Sequence, residues 1–515
     1  MSTNDTQQCL VNFFIFDISR NVPEDEEYQI IVFFHPADTP RDNQMKAVGR
    51  AAAIMKFSQT FGQNGMCHTV HTRKTKQYFH EPEPGFCMVM VGFTTTVKAV
   101  DQTCDGSSVF ECHDKVFQSL LMHSYKMFRL FMGTMRIQPF VENESQEEFE
   151  QLKVRASYFF SQHLQFMPME TADLADAFLG IQFLPLDKLS FLKVSSIVHS
   201  VEQVLPCIHS TTILYQDQIV WTGLCQEDIQ LVYNYLTAGL LPASVNLPAD
   251  SRFLTGPVDL RQPGSAARLP RVFLNYDKSP ADECHLLVYR VSGVTVCLFI
   301  PAVVEPDHDL FTNLDNILAP RLTSMATDVA EHTLMRKNPP SAACNDSIRF
   351  LYFNQWNMAF KSTLHQSCPN LRRILHCPSS ANIDIIQTCA DLSQDFSDWG
   401  EGEIVARTRA DAWIIGKLSN QRELYVAVTR KNAELVDVCG ISKPLEKKTV
   451  NTDRQMVLRK SVPNSSSMAI TTSTWSKESK PKSFMKWDSR HKQDPILDIL
   501  NSNRGLITVR TYASD

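Results

Sequence analysis

Residues 85–93 read Gly-Phe-Cys-Met-Val-Met-Val-Gly-Phe, nine positions without a charge. A run this short is far from the ~20 apolar residues that span a bilayer. It fits a strand at the centre of a sheet, covered on both faces. The surroundings agree. Phe13-Phe14-Ile15-Phe16 is an apolar strand, and Tyr28 to Phe34 is another, reached through the acidic loop Glu24 to Glu27. Met66 to Thr72 and Gln77 to Phe79 read as two more. Between them Thr39 offers an N-cap, Pro40 suits the first helical position and Asp42 the first turn. That helix continues to about Phe61 and stops at Gly62. Ser108-Val109-Phe110-Glu111 has the spacing of a capping box. It predicts a helix with Phe117, Leu121, Ser124, Phe128 and Phe131 on one side, ending at Gly133. The order is ββαβββα.

The pattern recurs twice. After the acidic break Glu142 to Glu150 and a connecting helix to about His163, Phe178 to Leu184 reads as a strand and Leu186 to Leu205 as a helix. Ile213 to Trp221 is a hairpin turning near Gln216-Asp217. Cys225, Ile229, Val232, Tyr233 and Leu236 have helical spacing. Three strands follow, Val272 to Leu274, Leu286 to Tyr289 and Val294 to Ile300, closed by a helix over Asp309 to His332. Lys337-Asn338-Pro339-Pro340 marks a boundary. Beyond it lie strands at Ile348 to Phe353, Glu403 to Thr408, Trp413 to Gly416 and Glu423 to Val428, with Leu371 to Cys389 mixed and a helix beginning near Asn432. The expected organisation is α+β. It has a first domain over 1–140, a linker with a connecting helix over 141–172, a second domain over 173–336, a third over 345–440 and a basic, disordered tail over 441–515.

A chain of 515 residues exceeds one ordinary core. Its net charge of -6 gives no reason to expect nucleic-acid binding. The charge is uneven: 441–515 carries +7, leaving -13 elsewhere. Two readings of such a tail stay open: a solvated segment with no role, or weak attraction to anionic lipid, about 1 kcal/mol per basic residue near the surface. The first apolar run, Leu10 to Ile18, lacks a basic flank and contains Asn12 and Asp17, so it reads as a strand and not a signal peptide. Ser2 stands where N-myristoylation needs glycine. Fourteen cysteines without a CxxC pair point to reduced, buried thiols in the cytosol.

No catalytic constellation is visible. Gly416-Lys417 lies between strands, with Asp411 where a phosphate loop has its first glycine. Gly400-Glu401-Gly402 lacks the third glycine of a dinucleotide fingerprint. Cys67, His68 and His71, like Cys104, Cys112 and His113, miss the spacing of a zinc finger. His308 reads as a helix start, and neither GxSxG nor HExxH occurs. We expect no catalytic residue, metal or cofactor.

The more specific signal is the helix from Pro40 to Phe61. Met45, Val48, Ala51, Ala52, Ile54, Met55 and Phe61 cover an arc of roughly 200°, wider than the ~100° that one sheet needs. Gly49 and Ala53 would let another backbone approach. Two readings stay open. The helix is either buried within its own domain or also packs against a partner subunit, with Met45, Val48, Ala52, Ala53 and Met55 as the candidate contacts. A second candidate surface is the turn between the third and fourth strands, with the polar residues His71, Thr72, Lys74, Gln77 and Glu83.

The ββαβββα order is that of the longin fold. The segments Phe33-Phe34-His35-Pro36, His71 to Val91, Phe183 to Lys188, Tyr215 to Leu224, Phe253 to Pro257 and Arg422 to Val426 closely resemble the Ccz family, subunits of the Mon–Ccz complexes. The resemblance runs from about residue 10 to 438 and leaves the tail out. It implies three longin domains and a heterodimer with a Mon subunit through the first of them. It further implies guanine-nucleotide exchange on the late-endosomal Rab GTPase (Rab-seven) and, in animals, a Bulli-type third subunit. The setting it implies is cytoplasmic, with peripheral recruitment to phosphoinositide-bearing endosomal and lysosomal membranes during endosome maturation and autophagy. On this reading the polar hairpin residues face the Rab. The alternatives are a subunit of the related exchange complex of lysosome-related organelles and a longin-type adaptor without exchange activity.

Overall fold

One strand order occurs three times. The computed structural model describes residues 10–20, 22–23, 28–60, 67–93, 95–97, 109–111, 113–136, 146–167, 172–243, 252–255, 269–275, 281–337, 348–366, 377–378, 383–408, 411–429 and 507–511. The first unit holds β1 (Leu10–Asp17), β2 (Ile31–His35), α1 (Arg41–Gln59), β3 (Thr69–His71), β4 (Thr75–Glu83) and β5 (Phe86–Phe93). A small ribbon of β6 (Thr95–Val97) and β7 (Val109–Glu111) precedes α2 (Asp114–Met132), and α3 (Gln146–Phe166) follows. After α4 (Leu174–Phe178) and α5 (Lys188–Val204) come β8 (Ser210–Tyr215), β9 (Gln218–Thr222) and α6 (Gln226–Asn234). A π-helical turn (Tyr235–Leu240) and α7 (Leu241–Ala243) extend α6. The second unit closes with β10 (Arg271–Leu274), β11 (Asp282–Val291), β12 (Val294–Pro301) and α8 (His308–Lys337). The third has β13 (Ile348–Asn354), β14 (Ala359–Ser362), a minor pair β15 (His365–Gln366) and β16 (Cys377–Pro378), α9 (Ile383–Trp399), β17 (Gly402–Arg407), β18 (Trp413–Ser419) and β19 (Arg422–Val428). The sheets run β2-β1-β5-β4-β3, β9-β8-β12-β11-β10 and β14-β13-β19-β18-β17. Counted within each unit this is 2-1-5-4-3 throughout, with antiparallel pairing.

Side-chain alternation explains the layers, because successive strand residues face opposite sides. Phe13 and Ile15 of β1 join Phe86, Met88 and Met90 of β5 in one core, under α2 and α3. Phe14 and Phe16 join Cys87, Val89 and Val91 in the other, under α1. The run that opened the sequence reading is thus the central strand, buried on both faces.

Helix α2 serves all three units. Phe117, Leu121 and Phe128 enter the first core, where Phe128 stacks on Phe160 of α3 at 5.3 Å. Met127 and Leu130 enter a core of the second unit beside Leu231, Val232 and Phe299. Lys115 reaches α9 of the third unit, donating to Ser393 O at 3.1 Å.

The chain between α3 and α5 also meets two units. Asp173 caps α4, accepting from the Ala175 N–H at 2.8 Å, while its other oxygen accepts from His365 Nε2 at 3.0 Å. Leu174 and Phe178 sit in the third core, and Phe178 stacks on Phe353 at 4.3 Å. Ile181 then bridges Ala359 of β14, and Phe183 bridges Ile219 of β9. One short segment is hydrogen-bonded to the edges of two sheets.

Several expectations are corrected here. Val109–Glu111 is a strand paired with Thr95–Val97, so those backbone groups are spent in a ribbon and α2 starts later, with His113 at the N-cap position and no side-chain cap bond. Phe178 to Leu184 is the end of α4 and two isolated bridges. The mixed stretch Leu371 to Cys389 contains the start of α9, whose buried Thr388 and Ser393 blur its apolar stripe. The connecting helix α3 buries Phe149, Leu152, Ala156, Phe160 and Leu164 in the first core. The helix expected near Asn432 lies outside the described residues. So does the tail 441–515 except for β20 (Ile507–Thr511), which lies parallel beside β17.

Two predictions follow from packing around α2 and α4. A Cβ at Gly180 would stand 2.2 Å from the Phe360 Cβ, so Gly180→Ala must displace the connector. We expect a loss of about 1–3 kcal/mol, read as a lowered thermal midpoint. Burial also pushes His163 down to about 4 and His80 down to about 4, the latter helped by His68 and Lys126. Above the ordinary histidine pKa of 6.5 both states are neutral and pH has no leverage. Below it the unfolded chain takes protons that the native rings refuse. Each ring therefore removes up to about 1.4 kcal/mol per pH unit between about 6.5 and about 4. The thermal midpoint should fall steadily across that window, and His163→Gln should flatten the slope.

Candidate functional site

The first unit presents two surfaces that the sequence singled out, and the structure treats their residues differently. Helix α1 lies across the β1–β5 face because Ala47, Val48, Ala51 and Met55 recur at helical spacing. Val48 and Met55 are each 2% exposed, inside the domain's own core. As partner contacts they are corrected: a side chain already surrounded by its own sheet has no surface to offer. Met45 and Ala52 are half-buried at the margin. Ala53 faces outward, on one stripe with Gly49 and Phe57. Phe57 is 65% exposed, and a Cβ built on Gly49 meets nothing within 4 Å. Lys46 and Arg50 flank this stripe. Helix α1 thus has two faces: a core face, and an outer stripe of two small residues ending in an exposed phenyl ring; Phe61, the last residue of the expected arc, lies outside the described residues.

The β3–β4 hairpin turns through Thr72, Arg73 and Lys74, all exposed. The Thr72 hydroxyl donates to Thr75 O at 2.7 Å, and the Thr75 N–H returns a bond of 2.9 Å. Register is set by Val70 opposite Gln77 and His71 opposite Lys76. The hairpin is fixed from below by Asp114, in the first turn of α2. Its Oδ2 accepts from His71 Nε2 at 2.7 Å. Its Oδ1 accepts from the Tyr78 hydroxyl at 3.1 Å and lies 3.3 Å from Lys76 Nζ. His71, Thr72 and Lys74 share the tip, and Gln77 stands half-buried on β4.

Glu83 does not belong with them. It closes β4 at the opposite end from the turn and is 8% exposed. Its Oε1 accepts from the Tyr125 hydroxyl at 2.8 Å and the Met135 N–H at 2.7 Å, and its Oε2 from the Arg136 N–H at 3.0 Å. It anchors the chain leaving α2, a structural task, and its place among the surface candidates is corrected. A strand of nine residues is about 30 Å long, so sequence proximity misplaced it.

Asp114 and Lys115 are not marked by the sequence pattern, whose capping-box spacing puts the N-cap at Ser108, five residues before the observed His113. Asp173 carried a legible signal: Asp176 stands three residues on, and the two form a reciprocal capping box. The decoys have ordinary places. Gly416 is mid-strand in β18, where Leu392 and Phe396 of α9 leave 3.2 Å for a Cβ. Glu401 accepts from the Asn420 N–H at 2.7 Å. Among the described residues no three His, Cys, Asp or Glu side chains cluster as a metal site, and no helix is long and apolar enough to cross a membrane.

Comparison with known proteins gives this architecture a family. Residues 10–133 match the model described as the first longin domain of INTU, CCZ1 and HPS4. Residues 208–319 and 344–445 match Intu longin-like domains 2 and 3. A vacuolar fusion protein CCZ1 homolog from Xenopus laevis is 35% identical over 453 residues, 83% of this chain and 93% of that one. The chain belongs to the CCZ1 family. A Nematostella vectensis member is 35% identical over 461 residues, 85% of this chain and 96% of its own. One from Dictyostelium discoideum is 22% identical over 454 residues, with coverage of 85% and 96%. The three longin-type domains are those of the family, in the order found here.

The two kinds of candidate separate by stability. Met55→Ala should cost about 2–4 kcal/mol, as for a buried methionine, while Ala53→Glu on the outer stripe should stay within about 0.5 kcal/mol. Glu83→Ala leaves two N–H groups and a hydroxyl unpaired and should cost about 2–4 kcal/mol. Denaturant midpoints of the three variants check this ranking.

Proposed function

We propose that this chain is the Ccz-type half of a heterodimeric guanine-nucleotide exchange factor for the late-endosomal Rab GTPase, acting in endosome maturation, lysosomal fusion and autophagy. The observation that carries the reading is the outer stripe of α1 on a CCZ1-family first domain. Gly49 and Ala53 leave room for a neighbouring backbone, and Phe57 offers a large apolar anchor. Aromatic anchors of this sort dominate protein interfaces. The occupant on this reading is the first longin domain of a Mon subunit. A Bulli-type subunit completes the assembly, which meets phosphoinositide-bearing membrane peripherally.

The mechanism needs no acid, base or nucleophile from this chain. In a small GTPase the phosphates and Mg2+ hold the nucleotide and order the switch loops. A platform that binds the nucleotide-free form better lowers the barrier to release. Each ~1.36 kcal/mol of that preference accelerates release about tenfold. On our reading the platform spans the first domains of both subunits, and the exposed tip His71, Thr72 and Lys74, with Gln77 behind it, is this chain's share. The relatives named CCZ1 align over nearly their whole length, which favours this reading over the lysosome-related-organelle complex and over a longin adaptor.

The deciding experiment is fluorescent-GDP release from a panel of Rab GTPases by the reconstituted complex. We expect late-endosomal Rab selectivity, and no acceleration on any Rab would leave the adaptor reading. Combined alanines at His71, Thr72, Lys74 and Gln77 should slow release at least about tenfold, the effect of roughly 1.4 kcal/mol, with the heterodimer intact. Ala53→Glu should abolish co-purification with the Mon subunit while the other two domains stay folded. Full binding by that variant would remove α1 from the interface.

A further inference from the structure

The first turn of α2 is held from two sides by consecutive residues. Asp114 carries the hairpin, through His71, Lys76 and Tyr78. Its neighbours point to the third unit, as adjacent helical residues diverge by about 100°. His113 Nδ1 lies 3.3 Å from Asp391 Oδ1. Lys115 Nζ donates to Ser393 O at 3.1 Å, Ser393 Oγ at 2.5 Å and Ser397 Oγ at 3.2 Å. Three acceptors match the three N–H groups of an ammonium. Ser393 Oγ in turn donates to Glu423 Oε2 at 2.9 Å. Glu423 is 2% exposed and also accepts from the Tyr425 hydroxyl at 2.6 Å and Gln355 Nε2 at 3.2 Å. Burial pulls Lys115 below the ordinary lysine range, and Glu423 and Asp398 oppose that pull.

A part-buried charge network of this kind is a poor source of stability, and its best-attested use is to fix register. Here it fixes α9 and β19 of the third unit against the one helical turn that supports the hairpin. We infer that Lys115 is a positioning residue: through Asp114, the third domain sets the placement of the β3–β4 hairpin. The inference rests on the hairpin's proposed role as a GTPase-facing element, and it names what regulates that element. Any event that shifts α9 reaches the hairpin across three residues, although the two domains lie some 280 positions apart in sequence.

The test is a double-mutant cycle on the full chain co-purified with its partner subunit, read by amide hydrogen exchange at the β3–β4 pairs. Lys115→Met and Asp114→Asn should each speed exchange of those amides at least about fivefold, and the double variant should match Asp114→Asn alone, since coupled residues are not additive. Unchanged protection in Lys115→Met, or effects that multiply in the double variant, would overturn the inference. Ser397→Ala removes one exposed acceptor and keeps the test open where Lys115→Met does not fold. It should speed exchange about twofold, and no change would count against the tie. In GDP-release kinetics, normalised to folded complex, Lys115→Met should lower kcat about fivefold with KM for the GTPase within about twofold, the pattern of lost transition-state stabilisation. A fall in rate that disappears on normalising to folded complex, or a raised KM at unchanged kcat, refutes a positioning role. Should the wild-type complex act on no GTPase, the exchange-factor reading fails, while the amide-exchange cycle still decides the tie.

Discussion

Every residue of helix α2 is buried or half-buried. One side carries Phe117, Leu121 and Phe128 into the first core, and the other carries Met127 and Leu130 into the second. Its first turn carries Asp114 to the hairpin and Lys115 to the third domain. Burying one large apolar side chain is worth about 1.5–3 kcal/mol, so Met127 and Leu130 together outweigh a typical single polar contact between domains. The polar contacts at the start of the helix do something else. Apolar faces slide, whereas an ammonium with three acceptors fits one placement. Apolar burial holds the domains together, and the charged turn decides how they meet.

The connector before α5 repeats this division of labour. Leu174 and Phe178 supply apolar area to the third core, and the Asp173–His365 bond and the bridges at Ile181 and Phe183 supply direction. Gly180 is small because Phe360 occupies the space a side chain would need. Three similar domains could be strung like beads. Here a shared helix and a shared connector make their mutual placement part of the fold, leaving the outer stripe of α1 and the hairpin tip at the surface.

Sequence reading reached the elements whose periodicity is local. Residues 86–93 announce a two-sided central strand by carrying no charge, and the alternation Phe13, Phe14, Ile15, Phe16 divides correctly between two cores. It failed where a backbone partner is distant. Nothing within Val109–Glu111 says that Thr95–Val97 will pair with it, and a capping-box spacing looks the same in a strand. The start of α9 was hidden because its buried Thr388 and Ser393 are polar, and Ser393 is there to meet a lysine and a glutamate from elsewhere. The candidate surface was half legible for the same reason. A helical wheel shows that α1 is apolar over a wide arc, but only the neighbouring sheet shows that Val48 and Met55 face inward and Ala53 outward. Glu83 read as a surface acid until its three donors, two of them beyond α2, came into view.

The placement of α4 has a consequence for how the chain is made. Leu174 and Phe178 emerge early, yet the residues they pack against extend to Ala427. A ribosome adding about 5–20 residues per second needs roughly 12–50 s to supply the intervening stretch. For that interval the first domain can fold on its own strands and α4 can meet α2, but Leu174 and Phe178 lack their partners in the third domain. Nascent chains of this protein therefore carry Leu174 and Phe178 without their third-domain neighbours for about half of their synthesis.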